Sequence, residues 1–461
     1  MMTSERAGFS SKIGMILATA GSAVGLGNFW RFPVMAGNNG GAAFIFIYIL
    51  CVILFGVPLM SAEFIVGRHA QTNAAQAYKK LTNGWLWRKI GIFGVITGWF
   101  ILCYYIVVSG WTLDYLVDCV LNRFNQLAHS DNPNSYANYF KSFVSNPYLP
   151  ILYTIIFMLL SHFIIVRGVT KGIERFSKIL MPLLFIIMIL LVFCSLFTTG
   201  ARAGFSFLFK PDFSKITYKT ILNALGQSFY SLSIAMGCIT TYASYFTKDV
   251  KLVNTAFKVC GIDTLVAIMA GMMIFPAVFS TGIRPDAGPS LVFIALPNVF
   301  QQAFGSIPIL AYLVSTLFFF LLVLATLTSV ISLQEVVTAY LCENFFMTRK
   351  KAASIVTISC IFVGSFCSLS MGPLNNFKII GRNLFDLFDF LSGQIMLPIG
   401  GLLIALFVGW FMPRRIIWEQ LTNKATLPTY GFRTLITLLK FFVPFAILMI
   451  FLSGIGLLRI F

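Results

Sequence analysis

The chain has 461 residues, 58% of them hydrophobic and only 10% charged, with a mean hydropathy of +0.88. A soluble domain carries about 25% charged residues, so this composition excludes an ordinary soluble globular protein. The formal net charge of +18 lies in short loops between apolar runs, which is membrane topology rather than a nucleic-acid-binding face.

Apolar runs long enough to cross a bilayer fall near 11–36, 41–69, 90–122, 149–166, 174–198, 217–247, 253–281, 307–343, 352–371, 384–411 and 433–459. Backbone polar groups in hydrocarbon must pair internally, and the runs are continuous rather than alternating, so the spans read as helices. The predicted fold class is an all-α polytopic membrane protein of about eleven spans, forming one transmembrane domain over 1–461. An odd number of spans puts the termini on opposite sides. Basic runs such as Lys79–Lys80, Arg88–Lys89, Arg349–Lys350–Lys351 and Arg414–Arg415 then favour an inner N-terminus and an outer C-terminus in a cytoplasmic membrane. The stretches 123–148 and 282–306 become outer loops, and the Pro-broken RPDAGPSLVFIALP in the second suggests a re-entrant or lid-like segment. Nine cysteines without a CxxC pair read as buried filler, and three scattered histidines build no metal motif. Span 1 is followed by no small-residue cleavage site of a signal peptide.

Spans 1 and 6 are unlike the rest. Span 1 carries GSAVGLGN (Gly21 to Asn28) and span 6 carries SLSIAMG (Ser231 to Gly237). Each glycine costs roughly 1 kcal/mol relative to alanine in a helix interior. Such runs either break the helix, freeing N–H and C=O groups at membrane depth for ions and carboxylates, or allow close helix packing. The two segments begin two five-helix halves, 11–198 and 217–411, with 433–459 as an extra span. That placement predicts a 5+5 inverted-repeat transporter with unwound spans 1 and 6.

The segment AGSAVGLGNFWRFPVMAGNNGGAAF (Ala20 to Phe44) resembles the neurotransmitter:sodium symporter family. So do GQSFYSLSIAMG (Gly226 to Gly237) with TYASY (Thr241 to Tyr245), RGVTKGIERFSKILMP (Arg167 to Pro182) and ATLTS (Ala325 to Ser329). The resemblance covers nearly the whole chain and is that of a prokaryotic, amino-acid-transporting member. It implies two sodium sites and a substrate site halfway across the bilayer. One sodium ion would take Ala23 carbonyl, the side chains of Asn28 and Ser231, and the substrate carboxylate. The other would take the carbonyls of Gly21, Val24 and Ala325 and the hydroxyls of Thr328 and Ser329. Hydroxyls at the last two could instead bond back to their own helix. Many members have an Asn at the start of span 7, whereas this chain reads GIDTLVAIMAG. Asp263 there could coordinate the first sodium ion, or it could supply the fixed negative charge that animal relatives take from chloride, together with Tyr48, Gln227 and Ser231. A structural acid at a helix start is the third reading.

Amine-carrying relatives place an Asp where this chain has Gly25, so an amino acid with its own carboxylate is implied. Its carboxylate would meet the N–H groups near Leu26 and Gly27 and the Tyr105 hydroxyl. Its ammonium would meet carbonyls near Ala23, Tyr230 and Ser233. Ile101, Tyr230, Met236, Ser329 and Leu333 would line the side-chain pocket, with Ser22 nearby. A pocket without spare charge favours a neutral, hydrophobic side chain. Arg31 and Asp389 match the family's outer gate pair, with Tyr230 above the pocket. Arg6 and Glu343 match the inner pair, with Phe9, Ser244 and Tyr245 around them. A surface pair worth at most about 1 kcal/mol is the plainer reading of the outer two, and ordinary interfacial charge that of the inner two. Glu63 in span 2 is expected to accept backbone N–H groups freed by the breaks, and the sequence assigns Glu335 no role. The implied function is sodium-coupled, chloride-independent symport of a neutral amino acid. The alternatives are a sodium-coupled carrier of a betaine or gamma-amino acid and a non-transporting sensor. The chain carries no metalloprotease motif or nucleophile pair that would suggest an enzyme.

Overall fold

The computed structural model describes residues 8–128, 132, 134–281, 291–305, 307–423 and 431–457. Among the described residues, nine helices are long and apolar enough to cross a membrane: Ala42–Ala70, Trp87–Val120, Leu149–Val166, Val169–Ser195, Leu252–Thr281, Pro308–Asn344, Arg349–Leu369, Leu384–Phe411 and Phe432–Gly454. These are spans 2 to 5 and 7 to 11. Span 1 is a bent pair, Lys12–Ala23 and Gly27–Asn38, turning by 55° at the glycine-rich break. Span 6 is two shorter helices, Tyr218–Ser231 and Cys238–Ala243, separated by residues 232–237. With these two counted, the described residues make up eleven spans, broken in the two places where the glycines and serines fall.

Local chemistry sets the span ends. Ser11 accepts from Gly14 N at 3.0 Å to start span 1, and Thr217 opens span 6 with a reciprocal capping box to Thr220. Thr348 and Asn383 cap the starts of spans 9 and 10, and Pro150 and Pro308 sit in the first turns of spans 4 and 8. Span 6 stops at Ser231 because Ser233 and Ala235 take positive φ (52° and 69°), which no α-helix permits, and it restarts after Gly237 at φ 78°.

Spans 3 and 8 form the central contact of the molecule, and spans 4 and 9 pack against them. The first half of span 1 lies against spans 5, 7 and 8, and the second half against spans 2, 6 and 7. The short helices Arg123–Ala128 and Ser135–Ser145 occupy the outer loop after span 3, and Ala201–Phe209 follows span 5. Of the segment with the Pro-broken motif, residues 282–290 lie outside the described residues. The remainder is the short helix Leu296–Phe304 and the turn before it, with Phe293, Leu296 and Phe300 buried. Phe293 stacks on Phe140 and meets Trp111 and Tyr115 edge-on. All nine cysteines are free thiols, seven of them buried, as expected of apolar filler.

Candidate substrate and ion site

The break in span 1 leaves a cavity of about 500 Å³ in the middle of the protein. Ser22, Ala23, Gly25, Leu26, Gly27, Ile101, Tyr105, Tyr230, Ser231, Ser233, Met236, Ser329 and Leu333 all line it. Every residue the sequence nominated for the substrate therefore faces one space. The wall is mainly apolar, and the charged side chains on it are Arg31, Asp386 and Asp389.

The wall is tight at Gly25. A β-carbon there would stand 2.8 Å from Ser329 Oγ and 2.9 Å from Tyr105 Oη. Leu26 N donates to Tyr105 Oη at 3.3 Å, so the backbone amides at the break and the tyrosine hydroxyl form one polar corner. A carboxylate suits such a corner, because free N–H groups at the start of a half-helix favour anions. Across the cavity, Ser233 Oγ donates to Ser22 O at 2.7 Å and ties the two breaks together.

Asn28, Ser231 and Asp263 form the first predicted ion cluster. Asn28 Nδ2 donates to Asp263 Oδ1 at 2.8 Å and lies 3.1 Å from Asp263 O and 3.3 Å from Ser231 Oγ. Ser231 Oγ donates to Asp263 Oδ2 at 2.7 Å, and Tyr48 Oη reaches the same oxygen at 3.3 Å. Asn28 Oδ1 accepts from Gly25 N at 3.0 Å, which fixes the amide's orientation. Asp263 is fully buried, and no cationic side chain among the described residues pairs with it. A buried carboxylate in that position can hold a cation or balance one nearby. Gln227, expected in the same group, donates to Gly27 O at 3.3 Å, next to Asn28 in the chain.

The second predicted ion cluster bridges spans 1 and 8. Ser329 Oγ lies 3.0 Å from Val24 O and 3.3 Å from Ala325 O, and Thr328 Oγ1 donates to Ala325 O at 2.9 Å. Gly21 faces Thr328, whose Cβ would be 3.3 Å from an added β-carbon. Both hydroxyls thus bond back to their own helix, and Ser329 also reaches across to the broken span. Neutral carbonyl and hydroxyl oxygens of this kind suit a hard monovalent cation.

Glu63 does what its position in span 2 implied. Ala235 N donates to Oε1 at 2.6 Å, and Thr240 N and Oγ1 donate to Oε2 at 3.1 and 2.7 Å. The carboxylate collects donors that the break in span 6 sets free.

The family model for the Sodium:neurotransmitter symporter family matches residues 6–146 and 149–459. The chain belongs to that family. It is 39% identical to the sodium-dependent transporter YhdH of Bacillus subtilis (strain 168), over 98% of each chain. It is 34% identical to a sodium-dependent transporter of Haemophilus influenzae, also over 98% of each. Among solved structures, the crystal structure of MhsT in complex with L-phenylalanine matches with a TM-score of 0.85 at 42% identity, covering 97% of this chain and 100% of that one. This symporter therefore has the inverted-repeat transporter fold expected of a prokaryotic member. It is a multi-pass, sodium-dependent membrane transporter and not an enzyme.

The gate residues of the symporter divide. Arg31 and Asp389 both line the cavity but form no ion pair within 4 Å among the described residues. Arg31 instead lies over the Tyr230 ring, 3.9 Å from its centroid. Arg6 lies outside the described residues. Glu343 accepts from Asn73 N at 2.8 Å and Asn73 Nδ2 at 2.9 Å. Tyr245 Oη donates to Glu335 Oε1 at 2.7 Å, and Glu335, fully buried, is bound by the Arg349 guanidinium through both carboxylate oxygens. Glu335 is thus one member of a partly buried ion pair with Arg349.

Two features escaped the sequence reading. Arg349 looked like one of three consecutive basic residues, yet it alone turns inward. Gly94 and Gly98 of span 3 also matter. A β-carbon on Gly98 would stand 2.8 Å from Met236 O, and one on Gly94 would stand 3.4 Å from Gly237 N. Their four-residue spacing puts both on one helix face, a signal visible in GVITG.

Proposed function

We propose that this symporter takes up a neutral, hydrophobic amino acid with sodium, independently of chloride, by alternating access. The observation that carries the reading is the cavity at the span 1 break, with an amide-and-hydroxyl corner at Gly25, Leu26 and Tyr105 facing an apolar wall. The corner suits a carboxylate, and Ile101, Met236 and Leu333 suit an apolar side chain. The similarity to MhsT, whose crystal structure is a complex with L-phenylalanine, supports the same class of substrate.

Two sodium ions enter with the solute. One binds among Ala23, Asn28 and Ser231 and the substrate carboxylate, so that each raises the other's affinity. The other binds among Gly21, Val24, Ala325, Thr328 and Ser329. Asp263, held by Asn28, Ser231 and Tyr48, supplies a fixed negative charge beside the first ion, which is why no chloride is needed. The repeats comprise spans 1–5 and 6–10, and the bundle of spans 1, 2, 6 and 7 moves against spans 3, 4, 8 and 9. Arg31, Asp389 and Tyr230 close the outer side, and Arg6, Glu343 and Tyr245 close the inner side. The N-terminus faces the cytoplasm and the C-terminus the outside, which the two-to-one bias of basic residues supports.

The test is uptake of a labelled amino-acid mixture into proteoliposomes, with an inward sodium gradient against potassium, with and without chloride. Accumulation only with sodium and unaffected by chloride is the expected result. No sodium-driven accumulation by folded protein would overturn the substrate assignment.

A further inference from the structure

On the outer side of the cavity, a tyrosine hydroxyl joins spans 6 and 10. Tyr230, in the last turn before the break in span 6, donates to Gly393 O at 2.6 Å, with Gln394 Oε1 3.2 Å away. Both acceptors lie in a π-helical stretch of span 10, Leu391–Met396. Wide turns of this kind recur at functional sites because they displace the local backbone. The same Tyr230 ring carries the Arg31 guanidinium. Arg31, Tyr230, Gly393 and Gln394 all line the cavity. Gln394 is positioned in turn by span 11, where a β-carbon on Gly454 would overlap Gln394 Oε1. The glycine is what lets the amide lie there.

We propose that the Tyr230 hydroxyl is the outer latch of this transporter, tying moving span 6 to the π-turn of span 10 at Gly393 and Gln394, with Gly454 of span 11 as a positioning residue. The ring of Tyr230 covers the cavity and stacks on Arg31, and its hydroxyl holds the ring in place. Arg31 and Asp389 form no ion pair among the described residues, so the described contact joining the moving side to span 10 at this level runs through the tyrosine. Closure then depends on a neutral hydrogen bond, which is weak enough to break in each cycle. The inference rests on the proposed role of the cavity, but it is tested by a readout that needs no substrate.

The test compares Tyr230→Phe, Gly454→Ala and the double variant. Phenylalanine keeps the ring and its cation–π contact and removes only the hydroxyl. Alanine at Gly454, itself outside the cavity lining, displaces the Gln394 amide and leaves Tyr230 and Gly393 unaltered. Each is made in a background with Met35→Cys, a residue of the outer cavity wall, and maleimide labelling is followed from outside in sodium, with no amino acid present. Loss of one neutral hydrogen bond predicts labelling about three- to tenfold faster for Tyr230→Phe. Gly454→Ala should move in the same direction, and the double variant should be no faster than Tyr230→Phe alone. Unchanged labelling in Tyr230→Phe, or strictly multiplicative effects in the double variant, would overturn the latch. Failed amino-acid uptake with the labelling pattern intact would count against the substrate assignment and leave the latch standing.

Discussion

Gly25 stands where any side chain would press on two hydroxyls at once, 2.8 and 2.9 Å from its β-carbon. Gly25→Ala should therefore cut sodium-dependent uptake at least tenfold while leaving thermal stability nearly unchanged, as read by transport alongside a melting curve. Asp263 makes a different kind of residue-scale claim. Asp263→Asn keeps the shape of its hydrogen-bonded cluster and removes the charge, so chloride-independent uptake should be lost. Asp263→Ser also clears space beside Tyr48 and Ser231, and chloride should then restore transport. Uptake that persists without chloride in both variants would refute the charge-balancing role. Glu63 accepts three donors from the break in span 6. Glu63→Gln turns an N–H toward one of them, and a buried donor left unpaired costs about 1–3 kcal/mol. A lowered melting temperature is the expected outcome.

At the scale of the element, the breaks were legible because GSAVGLGN and SLSIAMG crowd glycine and serine into the middle of spans 1 and 6. The span ends were legible to within a few residues because bilayer thickness fixes their length. The partners of charged groups were not. Arg349 and Lys350 are neighbours in sequence, and only tertiary packing turns the first toward Glu335. Arg31 and Asp389 match a gate pair by position, yet Arg31 prefers the Tyr230 ring. The glycine face of span 3 yields a graded prediction. Gly98→Ala puts a methyl 2.8 Å from Met236 O and should impair uptake strongly. Gly94→Ala meets Gly237 N at 3.4 Å, ordinary contact, and should transport nearly as the parent does.

Taken whole, the molecule is shut on the side of its N-terminus. Phe9 is enclosed by Tyr242, Tyr245 and Phe246. Ser10 and Ser11 bond to Glu174, and Lys12 reaches Asp249 at 2.6 Å. The hydrogen bonds from Lys12 and Thr247 hold the Asp249 carboxyl down at about 2. A depressed carboxylate contributes above its unfolded value and loses that contribution only as the pH falls through about 2. The Lys12–Asp249 contact should therefore be constant from about pH 5 to pH 8. Thiol labelling of a cysteine placed beside Phe9, divided by the rate of a free thiol at the same pH because the thiolate is the reacting form, would show a flat profile over that range if this contact governs inner closure.

The two ion clusters differ in what they are built on. Asn28, Ser231, Asp263 and Tyr48 belong to spans 1, 6, 7 and 2, all within the bundle proposed to move and so on one side of the proposed joint. The contact from Ser329 to Val24 crosses that joint. Stretching the joint leaves the first cluster's dimensions unchanged and pulls the second apart. On the proposed mechanism, a cation in the second place would act as a gauge of the gap between the moving bundle and span 8, and one in the first would act as ballast that travels with the load.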